Sequence, residues 1–402
     1  MNTSQNLAVP APRTGCPIDP PAVYREATKD ASIIRVDLPF GDECWMVTGY
    51  EEVRAVLTDT RFSADATRPG FPITNEEVKA LVAVNRSTER EAEDYLEEQE
   101  HSRRRRMLTA EFKASEIDAL RPEMQRIVDQ ALDGMIADGG PLDLVSRFGA
   151  PVASGVICLM LGVPVEDQEF FQQRSHVLLD AAAGPEAMMM AQKDLMEYLV
   201  KLTLAKQQNP DGGVISHLVE RGELKVEEIA GTGLLLLLAG NETTAGMISL
   251  SVIALRQHPE QITLLQQDPS LIKGAVDELL RYATLASNGL PRVALQDVEI
   301  GGQLIRAGEG VLCMLSTANR DEAVFPGGDD LDLTRGEARR HVTFGHGPHQ
   351  CIGQLLARTE LQIALGTLLS RLPGLRLAVP LEEVTFRDRA GAYAPAALPV
   401  TW

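Results

Sequence analysis

One cysteine in this chain stands where a thiolate would be favoured. Residues 339–372 read RRHVTFGHGPHQCIGQLLARTELQIALGTLLSRL, in which a loop holding Gly345, Gly347 and Gly353 delivers Cys351 to the first turn of an amphipathic helix reaching about Leu372. Unpaired amides and the macrodipole at a helix N-terminus favour negative charge, which makes Cys351 a candidate anionic sulfur. Three of the seven histidines, His341, His346 and His349, share the loop. A zinc site would need these ligands to converge tetrahedrally, and no CxxC or HxxxH pair supports it. The residues leave two further readings open: a bystander thiol at a glycine-rich helix start, and a thiolate offered singly to a large cofactor.

Other chemistry-bearing residues are scattered along the chain. Ile229 to Leu255, IAGTGLLLLLAGNETTAGMISLSVIAL, is apolar all round, about seven turns long, and carries Asn241, Glu242, Thr243 and Thr244 at its midpoint. Its length suits a membrane span, but an ionisable group at a bilayer centre costs roughly 2.5 kcal/mol or more, so a buried central helix of a large core is the preferred reading. Glu278 and Arg281 lie three apart on a predicted helix, as do His101 and Arg105 at a spacing of four, so each pair shares a helix face. Taken alone, Glu278 and Arg281 read as a surface ion pair, and Arg292, after Pro291 in a late strand, as a solvated edge residue.

The run FGHGPHQCIG resembles the haem-binding loop F-G-x-G-x-H-x-C-x-G of the cytochrome P-450 superfamily, matched by Phe344, Gly345, Gly347, His349, Cys351 and Gly353. The resemblance implies haem b with Cys351 as the proximal iron ligand, whose electron donation favours O–O cleavage. It further implies that Gly345, Gly347 and Gly353 admit the porphyrin, that Phe344 packs beneath it, and that His349 reaches a propionate. Ala239-Gly240-Asn241-Glu242-Thr243-Thr244 resembles the family's A-G-x-[DE]-T-T motif. There Ala239 and Gly240 would let the flat cofactor lie against the helix, a threonine hydroxyl would bond the preceding turn, and Glu242 with Thr243 would relay protons to the oxygen being reduced. His101 and Arg105 resemble an H-x-x-x-R propionate clamp, and Arg292 a further propionate ligand. Glu278 and Arg281 become the E-x-x-R lock behind the loop. The family commonly adds an arginine from a P-D-R-[FL]-D type segment; this chain has Asp330 there, and Arg335 is the nearby substitute.

The elements that must hold these residues are mostly helical. Helical spacing runs through Ala119 to Ala137 and Val152 to Leu161, the latter ended by Gly162 and Pro164, and strand-like runs lie at Ile33 to Leu38, Cys44 to Thr48, Leu290 to Ala294, Val298 to Ile305 and Gly310 to Leu315. The expected fold is mainly α with small β-sheets around a long central helix, the cytochrome P-450 fold, with a flexible leader at 1–20 and one haem domain at 21–402. The 402 residues carry 38 basic and 57 acidic side chains, a net charge of −19, which excludes a nonspecific nucleic-acid binder. With 44% hydrophobic and 24% charged residues, no signal peptide or membrane anchor at the N-terminus and an odd five cysteines, the chain reads as a cytoplasmic, monomeric protein in a reducing compartment.

No flavodoxin-like or Rossmann fingerprint follows the loop, so electrons are expected from an iron–sulfur ferredoxin and a ferredoxin reductase. The arginines at 103–106, 339, 340 and 358 are the candidate docking patch. Substrate contacts are expected from Phe71 to Tyr95, Leu178 to Lys201 with Met188, Met189 and Met190, Leu285 to Leu290, and Ala390 to Ala394. The stretches RFSADATRPGFP, GPHQCIGQLLARTELQ and LPVTW resemble the soluble actinobacterial enzymes that hydroxylate bulky natural products and drugs. The expected reaction is therefore insertion of one atom of dioxygen into a C–H bond of a hydrophobic molecule such as a polyketide, a statin-like lactone or a steroid. A hydrogen-peroxide-using peroxygenase, or a non-catalytic haem or zinc-binding protein, are the alternatives.

Overall fold

A computed structural model describes residues 7, 9–40, 42–74, 79, 98–179, 183–286, 288–389 and 392–402. The apolar run around Glu242 forms one unbroken helix, Val226–Gln257, of 32 residues. Glu228 accepts a hydrogen bond from the Lys225 amide at 2.8 Å, and acidic residues in the first turn with Arg256 in the last suit the helix dipole. The helix is apolar enough to cross a membrane, but its surface is spent on protein. It packs against the helices Ala150–Leu161 and Pro185–Gln208 and the strand Ala392–Pro395, and its C-terminal half joins Leu279, Leu361, Leu365 and Leu368 in the largest apolar cluster. Ala150–Leu161 follows a π-helical turn at Val145–Gly149 and ends at Gly162 in the left-handed region, φ +74°, where a glycine carries no Cβ penalty.

Five strands form the principal sheet, in the spatial order Ile33–Asp37, Glu43–Val47, Gly310–Cys313, Leu290–Ala294 and Phe62–Ser63. Glu43–Val47 and Gly310–Cys313 run parallel and the other pairs antiparallel. Period-two alternation sends Ile33, Trp45, Val47 and Val311 into one apolar cluster and Val36, Cys44, Met46 and Leu312 into another, so both faces are covered. The expected strand Val298 to Ile305 is a hairpin, Val298–Ile300 with Gln303–Ile305, turning at Gly301 and Gly302. The thiols of Cys44, Cys158 and Cys313 all lie in the core.

The N-terminal segment departs from the expected flexible leader. Val9 and Ile18 are buried, the Val9 amide donates to Asp37 O at 3.1 Å and the Asp37 amide to Leu7 O at 3.0 Å, extending the edge of the sheet. The Arg13 guanidinium sits 4.0 Å over the Tyr393 ring. Proline-rich composition concealed two apolar anchors, Val9 and Ile18, which pack against residues 21–402.

Candidate active site

Beneath the cysteine loop lies a lock that composition alone would have put on the surface. Glu278 and Arg281, on the helix Ile272–Tyr282, are both 0% exposed and share two bonds of 2.7 Å, from Arg281 Nε to Oε2 and from Nη2 to Oε1. Desolvating two charges costs several kcal/mol each, which is recovered only if every remaining polar group is satisfied. It is: Arg281 also donates to the carbonyls of Asn319, Gly328 and Asp330, and Arg335 Nε donates to Glu278 Oε1 at 3.1 Å. Arg335 thus occupies the third position. Asp330 takes part through its backbone, its carbonyl accepting from both arginines, so its acidic side chain leaves the lock intact.

Asn319 escaped the sequence reading. Fully buried, it donates through Nδ2 to Thr284 Oγ1 at 2.7 Å and Thr343 Oγ1 at 2.8 Å, and accepts at Oδ1 from the Val342 amide at 2.8 Å; Thr343 Oγ1 in turn donates to Leu280 O. The lock helix is thereby tied to the two residues that precede Phe344. A lone amide closing the apolar run VLCMLSTAN was the available signal.

Above this scaffold the loop turns at Gly345 and Gly347, φ +71° and +74°. Gly347 and Gly353 do different work. A Cβ on Gly347 would stand 2.4 Å from Leu57 O, so its smallness serves contact with the helix Tyr50–Thr58, whereas the expected role was porphyrin approach. A Cβ on Gly353 would come no closer than 3.8 Å to Phe112 and 3.9 Å to Cys351 Sγ, which leaves space beside the sulfur. The Cys351 amide donates to Phe344 O at 2.8 Å and the thiol is exposed. The following helix is Gln354–Arg371 with Gly353 as its N-cap, so Cys351 precedes the first turn, where it was expected to lie within it. Phe344 is gripped by Arg358, whose guanidinium lies 4.6 Å over the ring. Arg358 Nε bonds Asp277 Oδ1 at 2.6 Å, and His341 Nε2 lies 3.2 Å from Arg358 Nη2. Burial raises the Asp277 carboxyl, but bonds from His341 and Arg358 more than offset it and the net shift is downward. Among the described residues no three His, Cys, Asp or Glu side chains converge as a metal cage.

A cationic cluster borders the loop. His101 and Arg105 lie on the helix Glu98–Thr109, and the His101 ring stacks on His349 at 3.9 Å and 26°. Arg105 Nη2 donates to Gln350 O, and Arg292, buried in its strand, is the remaining cation. Burial first, then Arg105 and Arg292, push His101 down; burial, then His101, Arg292 and Arg105, push His349 down to about 3. A group with two carboxylates and a flat apolar body fits this setting: the cations meet the carboxylates and the exposed thiol meets a metal at the centre.

On the central helix Thr243 Oγ1 donates to Ala239 O at 2.7 Å. Ala239 and Thr243 are exposed one turn apart in a helix otherwise largely buried, so the helix faces an opening there, while Asn241 and Thr244 point into the core. A Cβ on Gly240 would lie 2.5 Å from Ile157 Cδ1, so this glycine lets the helix Ala150–Leu161 approach. The expected docking patch also contracts. Arg358 is held in the clamp, and Arg104 is buried against Glu100 and Glu228, which leaves Arg106, Arg339 and Arg340 exposed. Of the substrate segments, most of Phe71 to Tyr95, together with 180–182, 287 and 390–391, lies outside the described residues. Met189 and Met190 are 66% and 60% exposed, so they are not core filler.

Residues 186–373 match the family model described as cytochrome P450. The chain is 52% identical over 397 residues to cytochrome P450-SU2 of Streptomyces griseolus, covering 98% of this chain and 97% of the relative. It is 43% identical to the vitamin D3 dihydroxylase of Streptomyces griseolus, with 100% and 98% covered. The crystal structure of cytochrome P450 MoxA from Nonomuraea recticatena superposes with a TM-score of 0.92 at 44% identity, covering 98% of both chains. With likeness running over nearly the whole length in both sequence and fold, the chain belongs to the cytochrome P450 family: it is a haem-thiolate monooxygenase.

Proposed function

We propose that this enzyme hydroxylates a medium to large hydrophobic molecule of the polyketide, statin-like lactone or steroid kind, with electrons from an iron–sulfur ferredoxin and its reductase, and that residues 21–402 act as one haem domain. The observation that carries the reading is the exposed Cys351 beside the guanidinium groups of Arg105 and Arg292 and the stacked rings of His101 and His349. The haem, once bound, supplies dioxygen activation at a thiolate-ligated iron. In this reading Cys351 would be the iron ligand, and Arg105 and Arg292, with the rings of His101 and His349, would hold the propionates. Phe344, Gly345 and Gly353 would line one side of the group and Ala239 the other. Thr243, with its hydroxyl anchored on Ala239 O, and Glu242 pass protons into the opening. The exposed Met189 and Met190 suit an adaptable apolar entrance, since thioethers repack around varied shapes.

A carbon monoxide difference spectrum of the reduced protein tests the core of this reading. A Soret band red-shifted by thiolate ligation is expected in the wild type and lost in Cys351→Ser; a band that survives the substitution removes Cys351 as ligand. Titration with polyketides, lactones and steroids should give a low-to-high spin shift for at least one class, and silence across all three overturns the substrate assignment. Reversing Arg339 and Arg340 to glutamate should slow reduction by ferredoxin at low salt and lose its effect as salt rises; an unchanged rate overturns the docking face.

A further inference from the structure

The carboxylate of the Ala239–Thr244 motif is held from outside its own helix. Glu242 Oε1 lies 3.4 Å from Arg387 Nε, and both side chains are mostly buried. Arg387 belongs to the strand Phe386–Arg389, which pairs antiparallel with Ala392–Pro395 and sets Arg387 opposite Ala394. That hairpin lies close against the central helix because Gly246, one turn beyond Glu242, has no side chain: a Cβ there would stand 3.0 Å from Ala394 Cβ and 2.8 Å from Leu285 Cδ1. The hairpin is braced in turn, with Phe386 and Tyr393 stacked at 5.0 Å and Arg13 over Tyr393. A guanidinium on a braced strand therefore meets a carboxylate adjacent in sequence to Thr243.

We propose that Arg387 is a positioning residue for Glu242, holding its carboxylate in the orientation from which it serves the proton path at Thr243. A glutamate has three rotatable side-chain bonds and swings freely unless a partner fixes it; a partly buried guanidinium 3.4 Å away is a partner of opposite charge. The inference rests on Glu242 being the relay acid.

Without substrate the holoenzyme reduces dioxygen by two routes that differ in protons. One NAD(P)H, supplying two electrons, reduces dioxygen with two protons to hydrogen peroxide; two NAD(P)H, supplying four electrons, reduce it with four protons to two waters. The ratio of NAD(P)H to dioxygen consumed, driven through a surrogate ferredoxin and reductase, reads proton delivery with no substrate identified. Arg387→Leu is expected to move that ratio toward one and to raise peroxide yield at least two-fold. Arg387→Lys should restore it, because charge and reach return. In a Glu242→Gln background Arg387→Leu should add nothing. A second readout is independent of turnover: a double-mutant cycle on urea unfolding should show coupling between Glu242 and Arg387. Arg387→Gln replaces Arg387→Leu if the latter fails to fold. A wild-type ratio in Arg387→Leu while Glu242→Gln shifts it overturns the role of Arg387 alone. A wild-type ratio in Glu242→Gln removes the relay reading beneath it. Equal loss in Arg387→Lys and Arg387→Leu, or an additive cycle, also overturns the proposal.

Discussion

The two sides of the site are built to opposite standards. Under Cys351 each of Glu278, Arg281, Arg335 and Asn319 has several partners among one another, backbone groups and threonine hydroxyls, and Glu278, Arg281 and Asn319 are fully buried. Across the opening, Thr243 and Ala239 are exposed and Glu242 lies 3.4 Å from Arg387. A saturated buried network has one low-energy arrangement, because any displacement strands a charge without water. A partly exposed arrangement tolerates several. The sulfur side thus reads as a fixed seat, and the proton side as one adjustable at the exposed Thr243, with Glu242 braced by Arg387.

The sharpest way to break that contrast is to cut the seat. Glu278→Gln leaves Arg281 and Arg335 without their carboxylate, and loss of roughly 3–5 kcal/mol is expected; denaturant unfolding of the haem-free protein and haem retention on purification both measure it. Next comes Asn319→Ala, which frees the buried Val342 amide and two threonine hydroxyls and should cost about 1–3 kcal/mol. Its carbon monoxide spectrum should lose thiolate character faster on standing than that of the wild type. On the adjustable side, Thr243→Ala should change unfolding free energy by less than about 0.5 kcal/mol, as expected of an exposed site, yet divert most reducing equivalents to hydrogen peroxide. Equal destabilisation on both sides would erase the distinction.

Acidification supplies a gentler probe. In the folded protein burial and neighbouring cations hold His349 neutral down to about 3, while in the unfolded chain it takes a proton near 6.5. The unfolded state binds more protons in that interval, so the contribution of His349 to stability falls as pH drops through it. His349→Phe should flatten that slope in the haem-free protein. A modest effect is expected at Arg13→Ala, which loses a cation–π contact of about 0.5–1 kcal/mol along with bonds to the Pro17 and Asp19 carbonyls; a shift in thermal midpoint of a few degrees would register it.

How much of this was legible depended on the range of the interactions. The Phe344–Gly353 loop, the Ala239–Thr244 cluster and the two helical pairs each fit within a few residues, and spacing alone brought their members together. The uses of single residues did not show. Asn319 reaches Val342 across 23 residues, a pairing that no local pattern encodes, and Arg335, which reaches Glu278 across 57, is pointed to only by the family resemblance. Gly240 and Gly347 sit inside recognisable motifs, yet their missing side chains admit Ile157 and the backbone at Leu57, neighbours supplied by tertiary packing. Arg358 looked like one more surface charge because its partners, Asp277 and Phe344, come from different segments of the chain.

The buried cysteines bear on how long such an enzyme lasts. Burial pushes the thiols of Cys44, Cys158 and Cys313 up to about 12. At neutral pH that leaves only about one in 10⁵ of each as the oxidisable thiolate. A catalyst that leaks hydrogen peroxide whenever its protons arrive late thus keeps three of its five cysteines out of reach of the by-product of its own imperfect turnover.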